Sequence, residues 1–365
     1  MPEALQKTPF YPRHIALGAK MVPFAGYEMP VYYQSIRQEH LHVRRQVGLF
    51  DVSHMGEFIV TGVDAAAFVD RMTINNVSRL AVNQVQYSAM CYEDGGIVDD
   101  LLVYRFADHF LLVVNASNIE KDFNWLQQNL AGDVILSDRS ADYALLALQG
   151  PRALELLNPL TDLDLAELPY YSFREGELDG QELIFSRTGY TGEIGFELYI
   201  PTADSLPVWD RLMEAGSCCD LQPVGLGARD SLRLEMKFCL YGNDIDRSTT
   251  PLEAGLGWIT KTGKKGDFIG KSVLSRQREE GVSRRLVGFE LLEKGIPRPG
   301  YPVLIDQREV GTVTSGMMSP MLNRGIGLVY LPVDRTAVGQ ELQVAIRDRH
   351  LPGRVVETPF YKPGE

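Results

Sequence analysis

The sequence predicts an α+β protein: two mixed units built on antiparallel sheet, then a small all-β barrel or sandwich. Three observations predict it. Strand-like and helix-like runs alternate, but turns such as Glu93-Asp94-Gly95-Gly96 join neighbouring strands directly, unlike the strict order of a parallel α/β sheet. After residue 280 the chain becomes a series of short apolar runs divided by glycine and proline. Its 365 residues, 45% hydrophobic and 23% charged, suffice for a large core split over two or three domains.

Residues 34–47 read as a helix, because Ile36, His40, Val43 and Val47 recur at helical spacing while Arg37, Glu39, Arg44 and Arg45 lie mostly off that stripe. Residues 53–60 turn into a strand, and Asp64 is placed to cap a helix over 65–72. Residues 87–91 and 98–106 form a hairpin, 110–115 a further strand and 119–130 a helix. The second unit begins with a strand at 143–148 and a helix ending at Leu157, opened by Gly150-Pro151 with the proline tolerated in its first turn. Strands follow at 182–187 and 195–200, and helices at 206–215 and 226–234. The polar, glycine-punctuated run Lys261-Thr262-Gly263-Lys264-Lys265-Gly266 marks a domain border. A helix over 271–280 leads into strands at 286–291, 301–305, 309–314, 325–331 and 341–346.

A formal net charge of −12 argues against a polyanion as the main partner, so nucleic acid is not expected. No apolar run reaches bilayer length, and Met1-Pro2-Glu3-Ala4 lacks the basic start of a secretory signal, so the expected compartment is cytoplasmic. Cys91, Cys218, Cys219 and Cys239 show no metal-ligand spacing, and His40 and His42 share no helical face, which argues against zinc. A bridge between the neighbours Cys218 and Cys219 would be strained, so reduced thiols are expected.

The richest stretch runs from Gly95 to Tyr104. A glycine pair supplies a turn, and a strand follows in which Asp100, Leu102 and Tyr104 share one face while Asp99, Leu101 and Val103 share the other. A carboxylate, a hydrophobe and a phenol in line would make a wall for a flat polar heterocycle; a turn carboxylate capping backbone amides is the plainer reading. In the run 186–197, three glycines allow sharp bends, and Glu197 interrupts the apolar Phe196-Glu197-Leu198-Tyr199. Facing inward it needs a partner: a planar donor pair on a ligand, or a salt bridge to Arg187 or Arg229. In the run 225–235, Leu226, Arg229 and Arg233 fall on one side of a helix, where interior ion pairing competes with anion binding. The aromatic clusters at 24–33 and 169–173 suit ligand walls or ordinary cores alike.

Taken together, these runs are similar to those of the tetrahydrofolate-dependent aminomethyltransferases, the T-proteins of the glycine cleavage system. The resemblance begins at Thr8-Pro9-Phe10-Tyr11 and Leu17-Gly18-Ala19-Lys20-Met21-Val22, and passes through Gly48-Leu49-Phe50-Asp51-Val52-Ser53-His54-Met55. It includes Gly95 to Leu101, Val114-Asn115-Ala116-Ser117-Asn118, Thr188 to Glu197, Gly225 to Glu235 and Thr314-Ser315-Gly316 with Ser319-Pro320. It implies three domains around a central folate cavity: residues 1–50 with 139–262, residues 51–138, and residues 263–365, the last a jelly-roll-like β-barrel. By matching position, Asp100 is the essential carboxylate beside the reacting nitrogens, and Glu197 grips the pterin edge. Tyr87, Tyr104, Asn115, Tyr171, Tyr190 and Arg229 match other residues lining the folate site.

The implied reaction moves the methylene carbon of an aminomethyl thioether, carried on the lipoyl arm of the H-protein, to tetrahydrofolate with release of ammonia. The carbon passes through cationic states, which a fixed carboxylate in a dry pocket stabilises. Folate serves as co-substrate; no metal, nicotinamide or flavin is implied, and neither is a nucleic acid or a membrane. Phe238 stands where some members carry a tyrosine, and residues 361–365 offer no arginine for the folate glutamate. Folate-dependent demethylases, folate domains of amine oxidases and non-catalytic folate-binding proteins share parts of the pattern.

Overall fold

The computed structural model describes residues 4–363, so the Met1-Pro2-Glu3 start and the Gly364-Glu365 end lie outside the described residues. The chain forms two compact units. The first takes residues through Ala66, then Arg79–Gln86 and Leu102–Leu232; the second takes Ala67–Ser78, Tyr87–Leu101 and the chain from Arg233 onward.

The first unit contains a six-stranded sheet ordered Phe173–Leu178, Gln181–Ser186, Gly195–Pro201, Tyr143–Gln149, Val47–Asp51 and Leu221–Pro223. Its pairings are antiparallel except the last, where Leu221–Pro223 runs parallel to Val47–Asp51. Strand Tyr143–Gln149 is an almost unbroken apolar run because both of its faces are covered. One face packs on Phe10, Leu157 and Trp209, the last carried by helix Ser205–Ala215. The other joins Phe50, Tyr104, Leu111, Val113, Phe173 and Tyr199 in a second core.

A five-stranded sheet runs Gln84–Cys91, Ile97–Arg105, Phe110–Val114, Gly56–Thr61 and Ile135–Asp138. Along strand Ile97–Arg105, Asp99, Leu101 and Val103 are buried and Asp100 and Leu102 half-buried, as the parity reading expects, but Tyr104, placed on the face of Asp100, is fully buried. Helix Ala65–Met72 lies where the sequence puts it, but Asp64 does not act as expected. Its carboxylate accepts instead from the Asp133 amide at 2.8 Å, which ties down the turn before strand Ile135–Asp138.

In the second unit, six strands close into a barrel in the order Arg284–Leu291, Gly325–Pro332, Arg308–Met318, Pro302–Ile305, Glu341–Ile346 and Arg349–Val356. The first and last of these pair with each other, so no edge remains exposed. Phe289, Val303, Val329, Leu331 and Val344 fill the interior. A neighbouring core gathers Ile74, Cys91, Ile97, Leu234, Leu274 and Leu328. Lys264, in the run read as a border, is buried: its ammonium donates to the carbonyls of Asp70, Thr73 (2.7 Å) and Asn75 (2.8 Å). These are orphan acceptors at and beyond the end of helix Ala65–Met72. Arg233 is likewise interior, donating to Asp244 at 2.6 Å and to Ser315 at 2.9 Å. Of the alternatives weighed for the arginines of 225–235, ion pairing therefore holds for Arg233.

Candidate functional site

In the first unit, strands Gln181–Ser186 and Gly195–Pro201 pair antiparallel and set Glu197 opposite Ser186. Glu197 is 7% exposed, and Thr188 is its one hydrogen-bond donor among the described residues, at 2.5 Å to Oε2. Burial raises its pKa, opposed by the Thr188 hydrogen bond and the nearby Arg229 charge. A salt bridge to Arg187 is not made; that guanidinium donates to the carbonyls of Leu168 (2.5 Å) and Ala166 (3.4 Å). Arg229 lies over the Tyr190 ring, 4.7 Å from its centroid.

Behind Glu197 lies a connected set of hydroxyls. Tyr104 meets Tyr199 at 2.8 Å, Ser186 at 3.0 Å and Thr188 at 3.4 Å, and Ser186 meets Thr188 at 2.9 Å. Tyr104 has no exposed surface, so it backs the Glu197 carboxylate through Thr188 instead of presenting a free wall. Tyr171 is half-buried and held at φ 60°, unusual for a bulky residue, by its amide to Arg187 (3.1 Å) and its carbonyl to Val85 (2.8 Å). Asn115 is half-buried at the end of strand Phe110–Val114.

The glycines of 189–195 serve two purposes. Gly192 takes φ +83° and makes the bend. At Gly189 and Gly195 a Cβ would lie 2.1 and 2.4 Å from the Gln149 carboxamide. That carboxamide accepts from Thr191 at 2.9 Å and donates to the Thr188 carbonyl at 3.2 Å. Gln149 thus pins the loop from beneath. No sequence pattern marked it.

Asp51 is a brace. Its carboxylate takes Thr8 Oγ1 at 2.6 Å, His14 Nε2 at 2.8 Å and the Ser53 amide at 2.9 Å. Burial acts to raise its pKa, but His14, Thr8 and the Ser53 amide hold it below the usual carboxylate range. His54 is buried edge-on to Phe24, its Nδ1 without a partner. Burial, then the Arg229 charge, pushes its pKa down to about 4, so the ring is neutral.

The second unit holds Asp100. The Tyr87 hydroxyl donates to Asp100 Oδ2 at 2.9 Å, which orients the carboxylate, and the Tyr87 ring stacks on Trp258 at 6.0 Å. Trp258 was not singled out from the sequence; its one signal is a large aromatic in a glycine-rich run. Phe238 is half-buried, its amide bonded to the Arg233 carbonyl. All four cysteines are free; Cys91 is buried and its pKa is raised, first by burial.

Comparisons with known proteins settle the lineage. The family model described as "GCVT N-terminal domain" matches residues 10–264, and "Glycine cleavage T-protein C-terminal barrel domain" matches 284–362. This chain belongs to the glycine cleavage T-protein family. Relatives named aminomethyltransferase from Halothermothrix orenii and Geobacillus sp. are 51% and 50% identical, each over 98% of this chain and 100% and 99% of their own. The crystal structure of the glycine cleavage system aminomethyltransferase T from Bartonella henselae superposes with a TM-score of 0.91 at 34% identity, covering 99% of both chains. The T-protein likeness therefore extends over both units.

Proposed function

We propose that this chain is a glycine-cleavage aminomethyltransferase, carrying the methylene carbon from S-aminomethyldihydrolipoyl H-protein to tetrahydrofolate and releasing ammonia and dihydrolipoyl H-protein. The observation that carries the reading is the end-to-end likeness to the T-protein family. The co-substrate supplies two nitrogens, N5 and N10, that take up the carbon. Tetrahydrofolate and the lipoylated H-protein are the two partners, and the work is cytoplasmic.

The residue roles follow from chemistry. Glu197 has one protein donor and otherwise open acceptor capacity, which suits the adjacent N–H groups of an amino-pyrimidinone edge. Thr188 fixes the carboxylate for that task. Arg229 and Tyr190 form a cation–aromatic platform, and Tyr171 is held by its backbone as a rigid wall. Asp100, oriented by Tyr87, stabilises positive charge at the moving carbon and positions the amine that leaves.

The test is Asp100→Asn, which keeps shape and removes charge. With reduced folate and aminomethyl-loaded H-protein, turnover should fall about a hundredfold or more. Turnover within a few-fold of wild type would refute the role of Asp100. A wild-type chain that forms no methylenetetrahydrofolate in this assay would instead favour the demethylase or non-catalytic readings.

A further inference from the structure

Two cysteines of the first unit stand side by side in the short turn Gly216–Cys219, which follows helix Ser205–Ala215. Cys218 is exposed and Cys219 buried. The Cys218 Sγ lies 3.2 Å from the Ala215 carbonyl and 3.3 Å from the Cys219 Sγ. Side chains of adjacent residues in a helical turn normally diverge, so these two thiols are turned toward each other. Arg152 fixes the turn by donating to the Cys218 carbonyl at 3.2 Å. Burial first, then the Cys218 thiol and the Glu155 charge, push the Cys219 pKa up to about 12. Nothing in the proposed transfer of the methylene carbon uses this pair.

The separation of the sulfurs decides what the pair can hold. A disulfide needs about 2.05 Å and usually Cα atoms at least about 4.4 Å apart, whereas neighbours across a trans peptide stand about 3.8 Å apart. Closing that bond would unwind the turn. Tetrahedral zinc, with bonds of about 2.3 Å, spreads two sulfurs to about 3.8 Å. Among the described residues no third His, Cys, Asp or Glu joins the pair to complete a zinc shell. Trivalent arsenic is pyramidal, because its lone pair presses the three bonds toward right angles. Two bonds of about 2.3 Å at a right angle set their sulfurs about 3.3 Å apart. That is the spacing of the Cys218 and Cys219 thiols. We infer that Cys218 and Cys219 form a binding site for trivalent arsenicals of the class R–As(OH)₂. Cys218, the accessible thiol, bonds to arsenic first, and Cys219 follows as an intramolecular step. At each step an As–O and an S–H bond break, an As–S bond forms, and the thiol proton leaves with the hydroxide as water. R–As(OH)₂ and two thiols thus give the dithiolate and two waters. Arsenic stays trivalent, so neither oxidant nor reductant takes part. The Cys219 proton, held tightly by its surroundings, passes to the departing hydroxide without a free thiolate forming.

The test uses the chain alone, because a dihydrolipoyl arm is itself a dithiol. Phenylarsine oxide is titrated into wild type, Cys218→Ser, Cys219→Ser and Cys91→Ser, and binding is read by intact mass and by counting thiols after unfolding. Wild type should take up one equivalent and lose two of its four free thiols. The adduct should survive excess glutathione, a monothiol, and be removed by 2,3-dimercaptopropanol. Cys218→Ser should lose about a hundredfold or more in affinity, the advantage of a tethered second ligand, and Cys219→Ser the same. Cys91→Ser, in the second unit, should bind as wild type does. Cys218 is exposed, so its substitution leaves the core untouched and carries the test even if Cys219→Ser fails to fold. Because the sulfurs already have the required spacing, the adduct should melt at or above the Tm of the free chain. No uptake by wild type, an adduct that glutathione strips, or affinity of Cys218→Ser within about threefold of wild type would overturn the inference. So would an adduct of lowered Tm, since arsenic would then be binding an unwound turn and not the one described.

Discussion

Replacing Glu197 with glutamine separates what its carboxylate does for a ligand from what it does for the fold. The side chain is 7% exposed and keeps one donor, Thr188, which a glutamine Oε1 would retain. The substitution replaces the other oxygen by an N–H₂ group that faces the ligand donors wrongly. Losing one charge-assisted hydrogen bond costs about 1.5–3 kcal/mol, or roughly 12- to 150-fold in reduced-folate affinity. The fold should respond in the opposite direction. Because burial raises the Glu197 pKa, the folded state binds a proton that the unfolded chain has released. Stability therefore falls as pH rises from the ordinary glutamate value, about 4.3, through the raised one. Glutamine has no such window, so relative to wild type its stability gains across that range and stays level above it. Calorimetry of binding and thermal melts at pH 4 and pH 8 measure both effects. Affinity within twofold of wild type would refute the assignment of Glu197 to the ligand. A Tm at pH 8 clearly below wild type would refute the desolvation argument.

Two predictions concern the scaffold. Lys264→Met should destabilise the chain by about 3–5 kcal/mol in denaturant melts, because it leaves the carbonyls of Asp70, Thr73 and Asn75 without their shared donor. Gly189→Ala should weaken reduced-folate binding about tenfold or more with a modest fall in Tm, since its Cβ displaces the Gln149 carboxamide that pins the 188–195 loop; unchanged affinity would show that the loop's placement does not depend on Gln149.

The sequence was most legible where one periodicity dominated. The helix over 65–72 matches Ala65–Met72 because its apolar spacing competes with nothing else, and the helix over 271–280 matches Lys271–Glu280, a stretch rich in the helix-favouring residues Lys, Arg, Gln and Glu. Strand Arg349–Val356 escaped because Pro352 and alternating polar residues hide a barrel strand that buries only one face. Strand Phe173–Leu178, with Arg174, Glu175 and Glu177 exposed, is a polar edge of its sheet. The hairpin of Lys20–Phe24 and Tyr27–Tyr32 reads as an aromatic cluster interrupted by Pro23 and Pro30, so its pairing was invisible. Val47–Asp51 is a strand whose first residue completes the helical stripe of the preceding segment, which blurred the boundary. Among the candidate residues, Asp100 and Glu197 were readable because a carboxylate in an apolar strand is conspicuous. Gln149 and Trp258 were not, since their roles come from neighbours about 40 to 170 positions away in the chain.

The linked side chains of Tyr104, Tyr199, Ser186 and Thr188 can each give or receive a proton in their mutual contacts. Their orientation is set by the acid at the end of the line, since an ionised Glu197 compels Thr188 to donate. Were that acid to gain a proton, the whole row could turn about its C–O bonds while every heavy atom stayed in place. The floor beneath the acid can thus reverse its polarity by rotation alone, adapting to a bound molecule whose own edge changes from donor to acceptor.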